Sequence, residues 1–229
     1  MIAGAPAFDS DIERPCVLDR RDFSLFATSL ALLGIPAQAA RAAASRTVLV
    51  LGDSLSAEYG LARGTGWVAL LQQRLATQQI AAQVVNASIS GDTTAGGRSR
   101  LPALLQQHKP DVVVIELGGN DALRGLPLSG TEDNLTQMAK SVQAAGAKVL
   151  LVGIQVPPNY GSDYARRFAE AFDKAAKATR SPLVPFLLKG IADGPNAVAM
   201  FQSDRIHPVA AAHPMMLDNV WPALRKLLG

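Results

Sequence analysis

Five short runs of almost unbroken apolarity punctuate this 229-residue chain, at 47–51, 83–87, 111–117, 147–154 and 182–186. Each is rich in Val, Ile and Leu and lacks the polar alternation of a strand with one wet face, so each reads as a strand covered on both sides. Between them, apolar residues recur at helical spacing, as in Trp67, Leu70, Leu71 and Leu75, in Leu101, Leu104 and Leu105, in Leu135, Met138 and Val142, and in Phe168 and Phe172. Strand and helix in alternation imply a parallel sheet with helices on both faces, because a right-handed crossover is how a chain returns to a parallel neighbour. The expected fold is an α/β/α three-layer sandwich around a parallel five-stranded sheet. A C-terminal helix carrying Leu217, Val220, Trp221, Leu224 and Leu228 should close one face, with Pro214 and Pro222 leaving its limits open.

The first 40 residues stand outside this alternation. Residues 1–22 are polar and contain Arg20-Arg21, residues 23–40 carry no charge, and Ala37-Gln38-Ala39 has the small-x-small pattern read by signal peptidase. Gly34 and Pro36 break the apolar run, which is too short to span a bilayer comfortably. Residues 1–40 are therefore expected to be an export signal cleaved near Ala39, leaving a single domain over 41–229. Export through the twin-arginine route, suggested by Arg20-Arg21, and general secretion both stay open, and a periplasmic location follows from either. Cys16, the single cysteine, would leave with the signal, so the remaining chain has neither a disulfide nor a thiol nucleophile. Residues 1–40 hold three of the 22 basic and five of the 19 acidic residues, which leaves 41–229 a net charge of +5. Those charges are scattered, with no basic stripe for nucleic acid.

In doubly wound sheets, ligands bind outside the carboxyl ends of the strands, where the winding reverses. The residues following the runs are Gly52-Asp53-Ser54, Ser90-Gly91-Asp92, Gly118-Gly119-Asn120-Asp121, the segment Gln155 to Tyr164, and, farther on, Asp204-Arg205-Ile206-His207-Pro208. A serine hydroxyl becomes a useful nucleophile when an imidazole takes its proton, and the imidazole works best when a carboxylate fixes its tautomer. Ser54 is the candidate nucleophile. His207 follows Asp204 at a spacing of three, so one turn of chain can bring the carboxylate to Nδ1 while Nε2 faces Ser54. His108 lies at the opposite end of a helix, and His213, just before Pro214, is the competing base. The N–H groups of Ser54 and Gly91 and the side-chain amide of Asn120 are candidate oxyanion donors, each from the end of a different strand.

LGDSLS at 51–56, NASISGDTT at 86–94, ELGGND at 116–121 and DRIHP at 204–208 resemble, in order, the four sequence blocks of the GDSL, or SGNH, hydrolases. LPALLQQHKP at 101–110 and PPNYG at 157–161 look like the bacterial periplasmic acyl-CoA thioesterase I, lysophospholipase and arylesterase branch. The resemblance implies a flavodoxin-like fold and hydrolysis of carboxylic esters and thioesters through an acyl-serine, without metal or organic cofactor. It implies Ser54 as nucleophile, His207 as base, Asp204 as its orienting acid, and Ser54, Gly91 and Asn120 as the oxyanion hole. It also borders an acyl groove with Pro157, Asn159 and Tyr160. The implied partner is a small-molecule or lipid acyl ester, with no nucleic acid and no stable membrane insertion once the signal is removed. Activity should rise with pH as the base loses its proton, around roughly 6.5 for an ordinary histidine.

Three positions depart from the pattern. Glu58 and Arg205 stand where relatives usually have glycine, and Val209 replaces a residue that is often polar. A carboxylate at 58, close to the nucleophile loop, is expected to repel anionic substrates or to shift the titration of His207. The competing readings are a carbohydrate-ester deacetylase of the same family and a non-catalytic anion nest built on Gly91–Gly97 and Gly118-Gly119. No GK[ST] or GxGxxG motif supports a nucleotide site, and GxSxG is absent because Ser56 occupies its last glycine.

Overall fold

The computed structural model describes residues 45–229, and the expected export segment with its cleavage site near Ala39 lies outside the described residues. The strands are β1 (Arg46–Gly52), β2 (Ala82–Asn86), β3 (Val112–Glu116), β4 (Lys148–Val152) and β5 (Leu183–Val184). All neighbours pair in parallel in the order β2-β1-β3-β4-β5. Val48 to Leu51 and Val113 to Ile115 are completely buried, as apolar strands sandwiched between two helical layers must be.

The helices are α1 (Trp67–Thr77), α2 (Thr94–His108), α3 (Gly119–Leu123), α4 (Leu128–Ala144), α5 (Ser162–Thr179) and α6 (His213–Leu228). Helices α1 and α6 pack together on one side, while α4 packs between α2 and α5 on the other. Trp67, Leu71 and Leu75 of α1, Leu135, Met138 and Val142 of α4, and Phe168 and Phe172 of α5 supply the buried stripes, at the spacing read from sequence. Pro214 falls in the first turn of α6, where its missing N–H has no helical partner to lose, and Pro222 lies inside the helix without ending it.

Two expectations need correction. The fifth strand, expected over 182–186, is only two residues long because Pro182 and Pro185 flank it and cannot donate to a ladder. The connection after β4 ends at Gly161 rather than Tyr164, with a single 3₁₀ turn at Pro158–Tyr160 before α5 begins. Tyr164 is thus a helical residue, its ring stacked on Phe168 and tilted against Tyr160. The chain turns toward β2 after β1 and toward β4 after β3, so the winding reverses between β1 and β3, and the crevice opens at their carboxyl ends.

Candidate active site

Ser54 sits two residues beyond the end of β1, in a tight turn fixed by its neighbour. One oxygen of Asp53 accepts the Leu55 N–H at 3.0 Å, and the Asp53 carbonyl accepts the N–H groups of Ser56 and Ala57. Gly52, the last residue of β1, is buried against Ser56 and Glu116, so the hydroxyl leaves a rigid strand end.

The opposite side of the site is the segment 201–208. Phe201 and Pro208 form an antiparallel bridge, the Gln202 N–H donates to the His207 carbonyl, and the Arg205 N–H donates to the Gln202 carbonyl. This narrow loop folds Asp204 back on His207. His207 Nε2 lies 2.8 Å from Ser54 Oγ, and Nδ1 lies 2.7 Å from Asp204 Oδ2. The second Asp204 oxygen accepts the N–H groups of Ile206 and His207 at 2.9 and 3.0 Å. The His207 backbone N–H, its ring and the Ile206 N–H hold the Asp204 carboxyl down at about 2. At neutral pH it is therefore ionised, the state in which a carboxylate can orient an imidazole. A tyrosine that sequence reasoning missed, Tyr59, covers the imidazole with its ring centroid 4.3 Å away.

Ser54, Gly91 and Asn120 line one cleft of about 960 Å³ with His207. Among the described residues, neither the Ser54 nor the Gly91 N–H donates to a protein acceptor, leaving both available to a ligand. Gly91 has φ +80°, a left-handed conformation that suits glycine, and the Arg124 guanidinium donates to its carbonyl at 2.7 Å. Asn120, the second residue of α3, donates from Nδ2 to Asp53 Oδ2 at 3.0 Å. Pro157, Asn159 and Tyr160 also line the cleft, as expected of the β4–α5 connection. Sequence reasoning missed the apolar walls Leu123, Ile154, Phe186, Leu188 and Ile206. Ile154 and Phe186 had a usable signal, since each lies two residues past a strand carboxyl end, of β4 and β5; Leu123, Leu188 and Ile206 join them only through the tertiary fold.

The two histidines part clearly. His213, the first residue of α6, is 2% exposed and accepts the Trp67 N–H on Nδ1 at 3.0 Å, which satisfies an otherwise unpaired donor at the start of α1. Burial pushes its pKa below the ordinary histidine value, and it does not line the cleft. The expectation for Glu58 is corrected. Its carboxylate accepts the N–H groups of Gly64 and Gly66 just ahead of α1 and is not part of the cleft wall. Both departures from glycine keep a glycine-like backbone, with φ 60° at Glu58 and 57° at Arg205. Arg205 lines the cleft, and among the described residues it pairs with no carboxylate. The Val209 N–H donates to the Met200 carbonyl, a backbone bond indifferent to side-chain polarity.

Among the described residues, no group of three or more His, Cys, Asp or Glu is arranged to hold a metal ion, and no helix is long and apolar enough to cross a membrane. Residues 50–214 match the GDSL-like lipase/acylhydrolase family. The chain is 54% identical over 186 residues to Esterase TesA of Pseudomonas aeruginosa, covering 81% of this chain and 91% of that one. It is 44% identical over 189 residues to thioesterase 1/protease 1/lysophospholipase L1 of Escherichia coli K12, covering 82% and 88%. The crystal structure of the psychrotrophic esterase EstA from Pseudoalteromonas sp., inhibited by monoethylphosphonate, superposes with a TM-score of 0.75 at 42% identity, covering 80% of this chain and 98% of that one. With its four motifs meeting in one cleft and the match running through most of the described residues, the chain belongs to the GDSL-like lipase/acylhydrolase family and is an ester hydrolase.

Proposed function

We propose that Ser54, His207 and Asp204 hydrolyse carboxylic esters and thioesters of apolar acyl groups through an acyl-serine intermediate. The observation that carries this reading is the continuous relay from Asp204 Oδ2 through the imidazole to Ser54 Oγ at 2.7 and 2.8 Å. Ser54 Oγ attacks the acyl carbon as its proton passes to His207 Nε2. The oxyanion is held by the Ser54 and Gly91 N–H groups and the Asn120 amide. Collapse expels the alkoxide or thiolate, which takes the proton from Nε2. A water then gives a proton to Nε2 and attacks the acyl carbon, and Ser54 Oγ recovers that proton as the acid departs.

The cleft wall supports an apolar acyl group, with Leu55, Ile154, Val156, Phe186 and Leu188 on it and Tyr160 at its border. In this reading residues 1–40 are an export signal cleaved near Ala39, and 41–229 act in the periplasm. A panel of purified-enzyme assays tests the substrate class, with long-chain acyl thioesters, aryl esters and lysophospholipids set against acetylated sugars. Preference for the acyl thioesters and esters is expected. Hydrolysis confined to acetylated sugar would replace this reading with the deacetylase.

A further inference from the structure

Behind the nucleophile turn lies a buried carboxyl pair that the acyl-transfer steps do not use. Glu116, the last residue of β3, is completely buried, and Asp53 is 2% exposed. Ser56 Oγ donates to Glu116 Oε2 at 2.7 Å and receives the Trp67 indole N–H at 3.1 Å. Asp53 has partners of its own, with Oδ1 on the Leu55 N–H and Oδ2 on Asn120 Nδ2, both at 3.0 Å. Asp53 therefore holds both the turn that carries the nucleophile and the side chain of an oxyanion donor.

We infer that Asp53 is a positioning residue whose ionised carboxylate selects the orientation of the Asn120 amide and thereby assembles the oxyanion hole. This rests on the acyl-serine reading above. An ionised carboxylate only accepts hydrogen bonds, so beside Oδ2 the Asn120 amide can place its NH₂ and not its carbonyl. Among the described residues the second hydrogen of that NH₂ has no protein acceptor, and Asn120 lines the cleft with Ser54. A protonated Asp53 can donate to Asn120 Oδ1 instead. The amide is then free to flip and turn a lone pair toward the site where negative charge develops.

The surroundings make this choice sensitive to pH. Burial is the main cause that pushes the Asp53 carboxyl up to about 6, opposed by the Leu55 N–H, the Asn120 amide and the nearby His207, and reinforced by Asp92. Arg100 is paired with Asp92 at 2.8 Å, and Glu116 is the remaining carboxyl facing Asp53. Burial, and then the charge of Asp53, raises Glu116 well above the ordinary carboxyl value. Asp53 loses its charge as pH falls through its raised value, and the hole is disordered on the acid side.

Measuring kcat, KM and the pH profile of kcat/KM for wild type, D53N, N120A and the double variant tests the inference. The amide introduced by D53N has one acceptor for the two donors that Asp53 satisfies, and it removes the ionisation. Losing one oxyanion donor typically costs about 10² to 10³ in turnover. D53N should lower kcat by about 10- to 100-fold with little change in KM, and should cost under about threefold more in the N120A background. In wild type, kcat/KM should fall more steeply than one power of ten per pH unit over the first unit or so below pH 6, because more than one ionisation is then lost, and in D53N by about one. The wild-type slope is measurable even if D53N does not fold. Independent multiplication of the D53N and N120A costs, or a wild-type fall of one power of ten per unit, overturns the inference. Phosphonate labelling of wild-type Ser54 separates the two levels, because its failure removes the acyl-serine reading itself, whereas labelling with a normal D53N removes only the role of Asp53.

Discussion

Replacing His213 with alanine should destabilise the domain strongly without touching the chemistry. The Trp67 N–H that His213 accepts belongs to a completely buried residue at the start of α1, where no helical carbonyl is available to it. Stranding a buried donor costs about 1–3 kcal/mol, and the void left by the ring adds to it, so H213A should lose about 2–4 kcal/mol. For a domain of this size that is roughly 5–15 °C in Tm. H213N keeps an acceptor and should lose only about 1 kcal/mol. The pH dependence has a definite sign. Burial lowers the His213 pKa, so as pH falls below roughly 6.5 the unfolded imidazole takes a proton more readily than the folded one. Stability conferred by a neutral His213 is therefore present above that value and lost as pH falls below it, by at most about 1.4 kcal/mol per unit. Urea titrations at about pH 7.5 and about pH 5 should show wild type losing up to about 2 kcal/mol more than H213N over that interval. Esterase activity of folded H213N at the higher pH should match wild type. An H213A protein within about 0.5 kcal/mol of wild type, or equal acid losses in wild type and H213N, refutes the reasoning.

The two departures from glycine should respond in opposite directions. R205G relieves a left-handed backbone that carries no compensating side-chain bond, and should gain about 0.5–1 kcal/mol in urea unfolding. E58G removes a carboxylate that accepts two backbone N–H groups ahead of α1 and should lose about 1–2 kcal/mol, so shifts of the same sign and size contradict this account. Lengthening the acyl chain of an aryl ester should raise kcat/KM by about fourfold per methylene, the equivalent of about 0.8 kcal/mol, until the cleft is filled. A flat series means that the apolar wall does not hold the acyl group.

The parts of this protein legible in sequence are those written locally. Buried parallel strands such as Val48–Leu51 need continuous apolarity, and helices α1, α4 and α5 need a stripe, so both show in short windows. The Asp204–His207 pair is local too, since a spacing of three closes one turn onto a ring nitrogen. What stays hidden depends on where side chains travel. Glu58 is four residues from Ser54, yet its carboxylate turns to Gly64 and Gly66, and a Cβ at Gly66 would lie 2.5 Å from Glu58 Cγ. Tyr59 meets His207, and Ser56 meets Glu116, across 148 and 60 positions of sequence, where neither periodicity nor motif spacing carries information. The fifth strand is shorter than its apolar run because apolarity marks burial, whereas Pro182 and Pro185 decide how far a ladder can run.

The central claim is that Ser54 Oγ carries the acyl group. Treating the purified enzyme with an alkyl phosphonate and mapping the adduct by peptide mass spectrometry tests it most directly. One phosphonyl group on the peptide containing Ser54, with loss of esterase activity in step with labelling and no adduct in S54A, is the predicted result. An adduct on another residue, or an S54A protein that keeps wild-type hydrolysis, contradicts the account.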